Sequence, residues 1–214
     1  MPGAGLTGVD PAGSYSDARG LEVLLALMDA LDIRRAHVAG HSIGGRLAWK
    51  LAALYPGRVD RLVLVAPDGF QSLLFRYGKP THVPLIFQVA RHVLPRSLVR
   101  MALMQAYADR RCVTEALVER YYDLLRAPGV REASLARLAQ TVLEPPEPLL
   151  RRIESPTLLM WGERDHIIPP ARAGDFLGAI AKARLARLPQ VGHVPHEEAP
   201  RASLRLLREF LSGA

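Results

Sequence analysis

The sequence is poor in cysteine and lysine, and it has no long apolar run. Cys112 is the only cysteine in the 214 residues, which excludes an intrachain disulfide. Lysine occurs only at positions 50, 79 and 182, although the chain has 28 basic residues and a net charge of +7. No uninterrupted apolar stretch reaches the roughly 18 to 20 residues that a membrane-spanning helix needs. We therefore expect no membrane span in this chain.

Patterns typical of nucleic-acid binding and of protein export are also missing. The arginines are scattered, and no basic stripe interleaved with aromatic residues accompanies them, so we expect no nucleic-acid partner. Residues 1–5 lack the basic start and apolar centre of a signal peptide. The sequence thus predicts a cytoplasmic protein, unless an upstream segment carries a targeting signal. No pattern indicates an oligomeric state.

A glycine-rich motif is the most informative feature of the chain. Residues 40–45 read Gly-His-Ser-Ile-Gly-Gly, after a short apolar run at 36–39 and before an apolar-periodic stretch at 43–55. The order strand, G-x-S-x-G, helix is the context that a nucleophile elbow requires. Such a turn exposes the Ser42 hydroxyl above the sheet edge. It also directs the Ile43 N–H at an oxyanion on the attacked carbon.

Two more polar residues follow predicted strands. Asp165 comes shortly after the strand predicted at 157–161, and His193 follows the one predicted at 183–188. Ligands of open α/β sheets bind at the carboxyl ends of the strands. Two alternatives remain open at this point. Asp68 follows another predicted strand at 61–66 and is a second candidate acid, while His196 competes with His193 but lacks a preceding glycine.

These motifs resemble those of the α/β-hydrolase superfamily, in particular its cap-bearing, esterase-like members. The matching segments are residues 40–45, Gly-Glu-Arg-Asp at 162–165 with Ile-Pro at 168–169, and Gly-His-Val-Pro at 192–195 with Glu198 and Pro200. The resemblance implies an α/β fold with a mostly parallel sheet flanked by helices. It also implies Ser42 as the nucleophile, His193 as the general base and acid, and Asp165 as the orienting carboxylate.

The implied chemistry is that of a serine hydrolase. Serine needs a base to take its proton during attack, and histidine titrates near neutrality and can return that proton. We expect cleavage of a carboxylic ester or related activated carbonyl through an acyl-enzyme, with a small-molecule substrate. Carbon–carbon bond hydrolysis and acyl transfer use the same residues and remain alternatives. So does a catalytically silent interaction protein.

Helical patterns without a strand fill residues 71–148, between the second and third predicted strands. This change predicts a helical cap inserted into a core formed by residues 1–70 and 149–214. A cap excludes water and shapes the substrate pocket. Candidate substrate-binding residues are His41, Phe70, Phe87, Met104 and Tyr121. We expect no metal and no cofactor, because the spacing of His193, His196 and the glutamates beside them is not that of a helical zinc site.

The chain departs from the superfamily at its start. Members resemble one another in having several strands before the elbow and a loop, often His-Gly, that supplies a second oxyanion donor. Here only 41 residues precede Ser42, and none of them contains a His-Gly pair. We therefore expect that the N-terminal strands are missing and that one side of the elbow strand is open. The missing second oxyanion donor predicts weak activity, and the open edge predicts a tendency to aggregate.

Overall fold

The helices and strands of the computed structural model alternate along the chain, except that several helices lie between the second and third strands and two follow the fourth. The structure describes residues 1–72, 75–81, 83, 85–90 and 92–213, without the side chains of residues 86, 87 and 90. The strands are β1 (Ala36–His41), β2 (Val59–Val65), β3 (Thr157–Gly162) and β4 (Ala183–Leu188). The helices are α1 (Asp17–Ala30), α2 (Ile43–Leu54), α3 (Leu85–Ala90), α4 (Arg96–Ala106), α5 (Glu115–Arg126), α6 (Val130–Gln140), α7 (Glu147–Leu150), α8 (Arg172–Ala179), α9 (Pro195–Glu198) and α10 (Pro200–Leu211).

The chain divides into two compact units. The first consists of Met1–Leu31, Phe70–Leu103 and Val113–Glu144, and the second of Asp32–Gly69, Met104–Cys112 and Pro145–Ala214. The segment 71–148, which the sequence assigns to a cap, is thus shared between the two units. Met1–Leu31, which the sequence assigns to the core, groups with the helical segments.

Helices dominate the first unit. α1 begins after Ser16, whose side-chain oxygen accepts a hydrogen bond from the Arg19 N–H at 3.3 Å, as the sequence predicts for its N-cap. Thr114 caps α5 in the same way through the Leu117 N–H at 3.2 Å. Buried side chains of this unit include Tyr15, Leu21, Met28, Val99, Leu103, Val118, Val130 and Leu143. The helical pattern that the sequence predicts between the second and third strands is therefore present.

The second unit is built on a parallel sheet with strand order β1-β2-β3-β4. All six residues of β3 are buried, because a parallel strand inside a sheet is covered on both faces. β1 lies at an edge, and its residues are half-buried or exposed. Ser42, Asp68, Asp165 and His193 each follow one of the four strands. Since parallel strands end at the same edge, the fold gathers these residues there.

Apolar side chains cover both faces of β2. Val63 and Val65 pack in one cluster with Met160 and with Phe210 of α10. The alternate residues of the strand, among them Leu62 and Leu64, are fully buried as well, and α2 packs on β1 and β2. Side chains of a strand point alternately to its two faces, so helices must flank the sheet on both sides. The predicted fold class, a parallel sheet flanked by helices, is confirmed.

Candidate active site

Ser42 occupies a strained turn between β1 and α2. Its backbone has φ 52° and ψ −120°, a conformation that L side chains rarely adopt. Two glycines make the turn possible. A Cβ atom on Gly40 would collide with the Gly44 carbonyl group, and one on Gly45 would lie 2.9 Å from Pro67. The chain therefore approaches itself closely on both sides of Ser42, as the motif predicts.

Backbone hydrogen bonds hold this turn against β2. The Ser42 N–H donates to the Val65 carbonyl, and the Ser42 carbonyl accepts from the Asp68 N–H, both at 3.0 Å. Ile43 is the first residue of α2, so its N–H has no acceptor within the helix. An anion beside Ser42 would meet this N–H and the positive end of the helix dipole.

Asp165 is buried in the loop after β3, with a side chain that is fully paired. One carboxylate oxygen accepts hydrogen bonds from the Ile167 and Ile168 N–H groups at 2.8 and 2.9 Å. The other lies 2.8 Å from Nδ1 of His193. A carboxylate oxygen accepts hydrogen bonds, so Nδ1 of His193 is the donor in this contact and carries the proton. The other ring nitrogen, Nε2, is then free to accept one.

His193 lies in a loop whose main chain is anchored at several points. Its own N–H donates to the Ala106 carbonyl at 2.7 Å. The preceding Gly192 has no room for a side chain, since a Cβ atom would lie 2.7 Å from the Ala108 nitrogen. The Gly192 N–H also donates to Glu198 at 3.0 Å, and the same carboxylate accepts from the Ala108 and Asp109 N–H groups. The loop is thus fixed onto Met104–Cys112 of the same unit.

His41 lies against His193. Its Nε2 is 2.7 Å from the His193 carbonyl oxygen, and the two ring centroids are 4.6 Å apart. Its ring also meets His196 edge to face at 4.9 Å. Burial, followed by the charge of His193, lowers the pKa of His41 to about 4. The hydrogen bonds of the described residues join His193 to Asp165, Ala106 and His41, and do not include one to the Ser42 hydroxyl.

The alternative acid, Asp68, has a different partner. Its carboxylate lies 2.5 Å from Nη1 of Arg46, a residue of α2 that is 1% exposed. The other carboxylate oxygen accepts from the Gly69 N–H, and the Asp68 carbonyl accepts from the Trp49 indole at 2.9 Å. Asp68 therefore braces the turn behind Ser42, and Asp165 is the carboxylate that meets His193.

The predicted substrate-binding residues are distributed over both units. Phe70 and Tyr121 belong to the first unit, and the Tyr121 ring lies 5.6 Å from the Arg120 guanidinium. Met104 is half-buried in the second unit, and the side chain of Phe87 lies outside the described residues. Their contact with a substrate stays a prediction.

A largely apolar cleft of about 460 Å³ lies beside the histidines. Its lining includes His41, His196, Met160, Pro200, Leu204 and Leu207. Burial lowers the pKa of His196, so this histidine too favours the neutral form. Within the described ranges, no group of three His, Cys, Asp or Glu residues could hold a metal ion. A search of the same residues finds no helix long and apolar enough to cross a membrane.

Sequence reasoning missed the residues that support the site from behind. The Arg46–Asp68 pair, the Ala106 carbonyl and the three N–H groups bound by Glu198 were not foreseen. One signal was available, since Arg46 interrupts the apolar pattern four residues after Ser42, at a position that faces the same side of the helix. The backbone contacts carry no comparable sequence signal.

The model of the alpha/beta hydrolase fold family matches residues 1–200 of the chain. The chain belongs to this family. The geometry of the chain agrees with this membership. The turn at Ser42 and the Asp165–His193 pair lie at the ends of strands, where the α/β-hydrolase fold places its active site.

Two curated relatives from Pseudomonas putida and one solved structure are similar over most of the chain. The chain is 33% identical over 195 residues to the dihydrolipoyllysine-residue acetyltransferase component of an acetoin cleaving system, covering 89% of this chain and 49% of that protein. It is 30% identical over 229 aligned positions to a 2-hydroxymuconate semialdehyde hydrolase, covering 100% of this chain and 75% of that protein.

The solved structure is a meta-cleavage product hydrolase from Pseudomonas fluorescens IP01, at 25% identity and a TM-score of 0.85. The match covers 100% of this chain and 78% of that one. The chain thus spans 49% of the length of the acetyltransferase component and 75% of that of the semialdehyde hydrolase.

Proposed function

We propose that this chain carries the catalytic machinery of a serine hydrolase acting on an activated carbonyl. Ser42 is the nucleophile, His193 the general base and acid, and Asp165 the orienting carboxylate. The observation that supports this best is the 2.8 Å contact between Asp165 and Nδ1 of His193, in a loop that meets the residue before Ser42. This contact leaves Nε2 of His193 without a proton, ready to accept one.

The reaction proceeds in two halves. Ser42 Oγ attacks the substrate carbonyl carbon while His193 Nε2 takes the hydroxyl proton, and the Ile43 N–H stabilises the oxyanion. The oxyanion collapses, the bond to the leaving group breaks, and His193 returns its proton to that group. Water then attacks the acyl-enzyme with His193 again as the base, which releases the acid and restores the Ser42 hydroxyl.

The relatives favour a carbon–carbon bond as the one that breaks. The resemblance to esterase-like members favours an ester, in which the leaving group departs as an alcohol. A carbon leaving group requires a carbanion that is stabilised by conjugation. A meta-cleavage product such as 2-hydroxymuconate semialdehyde has a conjugated enol acid next to its carbonyl group, and can delocalise the electron pair. The net charge of +7 suits such an anionic substrate.

Acyl transfer is the second candidate, supported by 33% identity to the acetyltransferase component. It uses the same acyl-enzyme, which an acceptor nucleophile attacks instead of water. Its signature is product that forms only when such an acceptor, for instance a small dithiol, is added.

Labelling and turnover together test the proposal. A fluorophosphonate probe should modify Ser42 in the folded 214-residue protein, and the Ser42→Ala variant should stay unlabelled. The protein should then consume 2-hydroxymuconate semialdehyde faster than a p-nitrophenyl ester at equal concentration. Labelling with preferred turnover of the ester would refute the carbon–carbon assignment. No labelling of a folded sample would refute the catalytic role and favour a silent interaction protein.

A further inference from the structure

His41 uses its side chain to bind the main chain of the residue proposed as the general base. Its Nε2 lies 2.7 Å from the His193 carbonyl oxygen. A carbonyl oxygen only accepts hydrogen bonds, so Nε2 of His41 must carry the proton. The motif that carries Ser42 therefore also supplies a donor to the opposite loop, from the position immediately before the nucleophile.

This contact completes the anchoring of His193. Its N–H donates to Ala106, its carbonyl accepts from His41, and its ring is held by Asp165, with distances of 2.7, 2.7 and 2.8 Å. The Ala106 and Asp165 contacts attach the histidine to the last residue of α4 and to the loop after β3. Among the hydrogen bonds of His193 within the described residues, the one from His41 attaches it to β1, which ends directly before Ser42.

The surroundings of His41 keep its ring neutral. The titratable groups around it are His193, His196 and Asp165, and burial and the two histidines oppose a second proton on the ring. Because the pKa of His41 is lowered to about 4, the ring carries one proton at neutral pH. That proton forms the hydrogen bond to the His193 carbonyl oxygen. No positive charge on His41 then competes with the imidazolium that forms on His193.

We propose that His41 is a positioning residue, which fixes the distance between Ser42 and the His193 ring by donating its Nε2 proton to the His193 carbonyl. The inference rests on the proposed function, since it takes His193 as the base that acts on Ser42. Loss of this donor should leave substrate binding intact and misplace the base. A displacement of about 1 Å in an active site can lower the rate about 100-fold.

Two variants of His41 test the donor separately from the ring. His41→Phe keeps a ring of similar size against His193 and His196 but has no N–H group. His41→Gln restores an N–H at a similar reach. We expect His41→Phe to lower kcat about 10- to 100-fold with KM changed less than about twofold, and His41→Gln to recover most of kcat. His37→Phe is the matched control, because His37 is an exposed residue of the same strand whose Nδ1 lies 3.1 Å from Asp60, and kcat should stay within about twofold of the wild type.

An NMR measurement reads the same contact without any substrate. The Nδ1 proton of His193, held by Asp165, should give a sharp downfield resonance in the wild type, in His41→Gln and in His37→Phe. It should broaden or disappear in His41→Phe. Ser42→Ala should lose turnover but keep this resonance. If no substrate is turned over by any variant, the proposed function fails while this readout still decides the role of His41.

Wild-type kcat together with an unchanged His193 resonance in His41→Phe would overturn the proposal, as would equal losses in the Phe and Gln variants. If His41→Phe does not fold, ¹⁵N-histidine spectra of the wild type test the proposal instead, because they show which ring nitrogen of His41 carries the proton. The proposal requires the Nε2–H tautomer of His41 at pH 7. The Nδ1–H tautomer or a doubly protonated ring would contradict it.

Discussion

Replacing each of two aspartates by asparagine should separate catalysis from stability. Asp165 binds His193 at 2.8 Å, and its other oxygen accepts two backbone N–H groups. In Asp165→Asn the amide oxygen keeps those two donors, so the NH₂ group faces Nδ1 of His193. His193 must then carry its proton on Nε2, where it cannot accept the Ser42 proton. We expect kcat to fall about 10⁴-fold, or about 5 kcal/mol in the barrier.

Asp68→Asn should lower the stability of the protein but leave most of its kcat. Asp68 pairs at 2.5 Å with Arg46, whose side chain is 1% exposed, and it makes no hydrogen bond to His193 within the described residues. Removing the charge weakens a buried ion pair, which should lower the free energy of unfolding by about 3 kcal/mol. The folded fraction should keep kcat within about tenfold of the wild type, since the tautomer of His193 is unaffected.

The assay measures both quantities on the same samples. Urea denaturation gives the free energy of unfolding, and turnover of the best substrate below the unfolding transition gives kcat. Asp165→Ala serves as a control, because it removes the carboxylate without supplying an amide. If Asp68→Asn lost about 10⁴ in kcat and Asp165→Asn kept its activity, Asp68 would be the orienting acid and our assignment would be wrong.

Three further predictions follow from individual contacts. Ser42→Gly should lose activity, as Ser42→Ala should. Its free energy of unfolding should be about 1 kcal/mol higher than that of the alanine variant, because φ 52° at this turn suits glycine. Equal stability of the two variants in urea would contradict this strain. Because the pKa of His41 is lowered to about 4 in the folded protein, the unfolded chain binds a proton at His41 more readily than the folded one. The stability that the neutral ring contributes is therefore complete above about pH 6.5 and is lost as the pH falls toward 4. Between pH 7.5 and 4.5 the wild type should lose about 2 to 3 kcal/mol more than His41→Gln, and parallel pH curves would refute the burial of a neutral ring. Glu198→Gln should lower stability by about 1 to 3 kcal/mol, since one of the N–H groups of Gly192, Ala108 and Asp109 loses its acceptor; an unchanged denaturation midpoint would show that this anchor is dispensable.

The fold and the turn that carries Ser42 could be predicted from the sequence because both leave local signals. The turn at Ser42 requires small residues at positions 40 and 45, and glycine is visible in the sequence at both. Helix starts such as Ser16 and strand runs such as 183–188 follow from capping and apolar pattern. The family then supplies the chain order of serine, aspartate and histidine.

The supporting contacts could not be predicted because they join backbone atoms of distant residues. The Ala106 carbonyl binds the His193 N–H, and any residue type could supply that carbonyl. The sequence predicts a substrate contact for His41, whereas the partner observed for its side chain is a main-chain oxygen 152 residues away. The sequence does not decide whether Asp68 or Asp165 contacts the histidine. The structure does, because Arg46 pairs with Asp68.

The anchoring of the histidine loop on Met104–Cys112 limits how this protein can be recombined. Sequence pattern treats residues 71–148 as one exchangeable insertion, yet the middle of that stretch supplies the carbonyl that binds His193 and two N–H groups that bind Glu198. A graft that replaced the whole stretch would also replace part of the support of His193 and Glu198. New helices should therefore be exchanged on either side of 104–112, with this short segment inherited together with the histidine it holds.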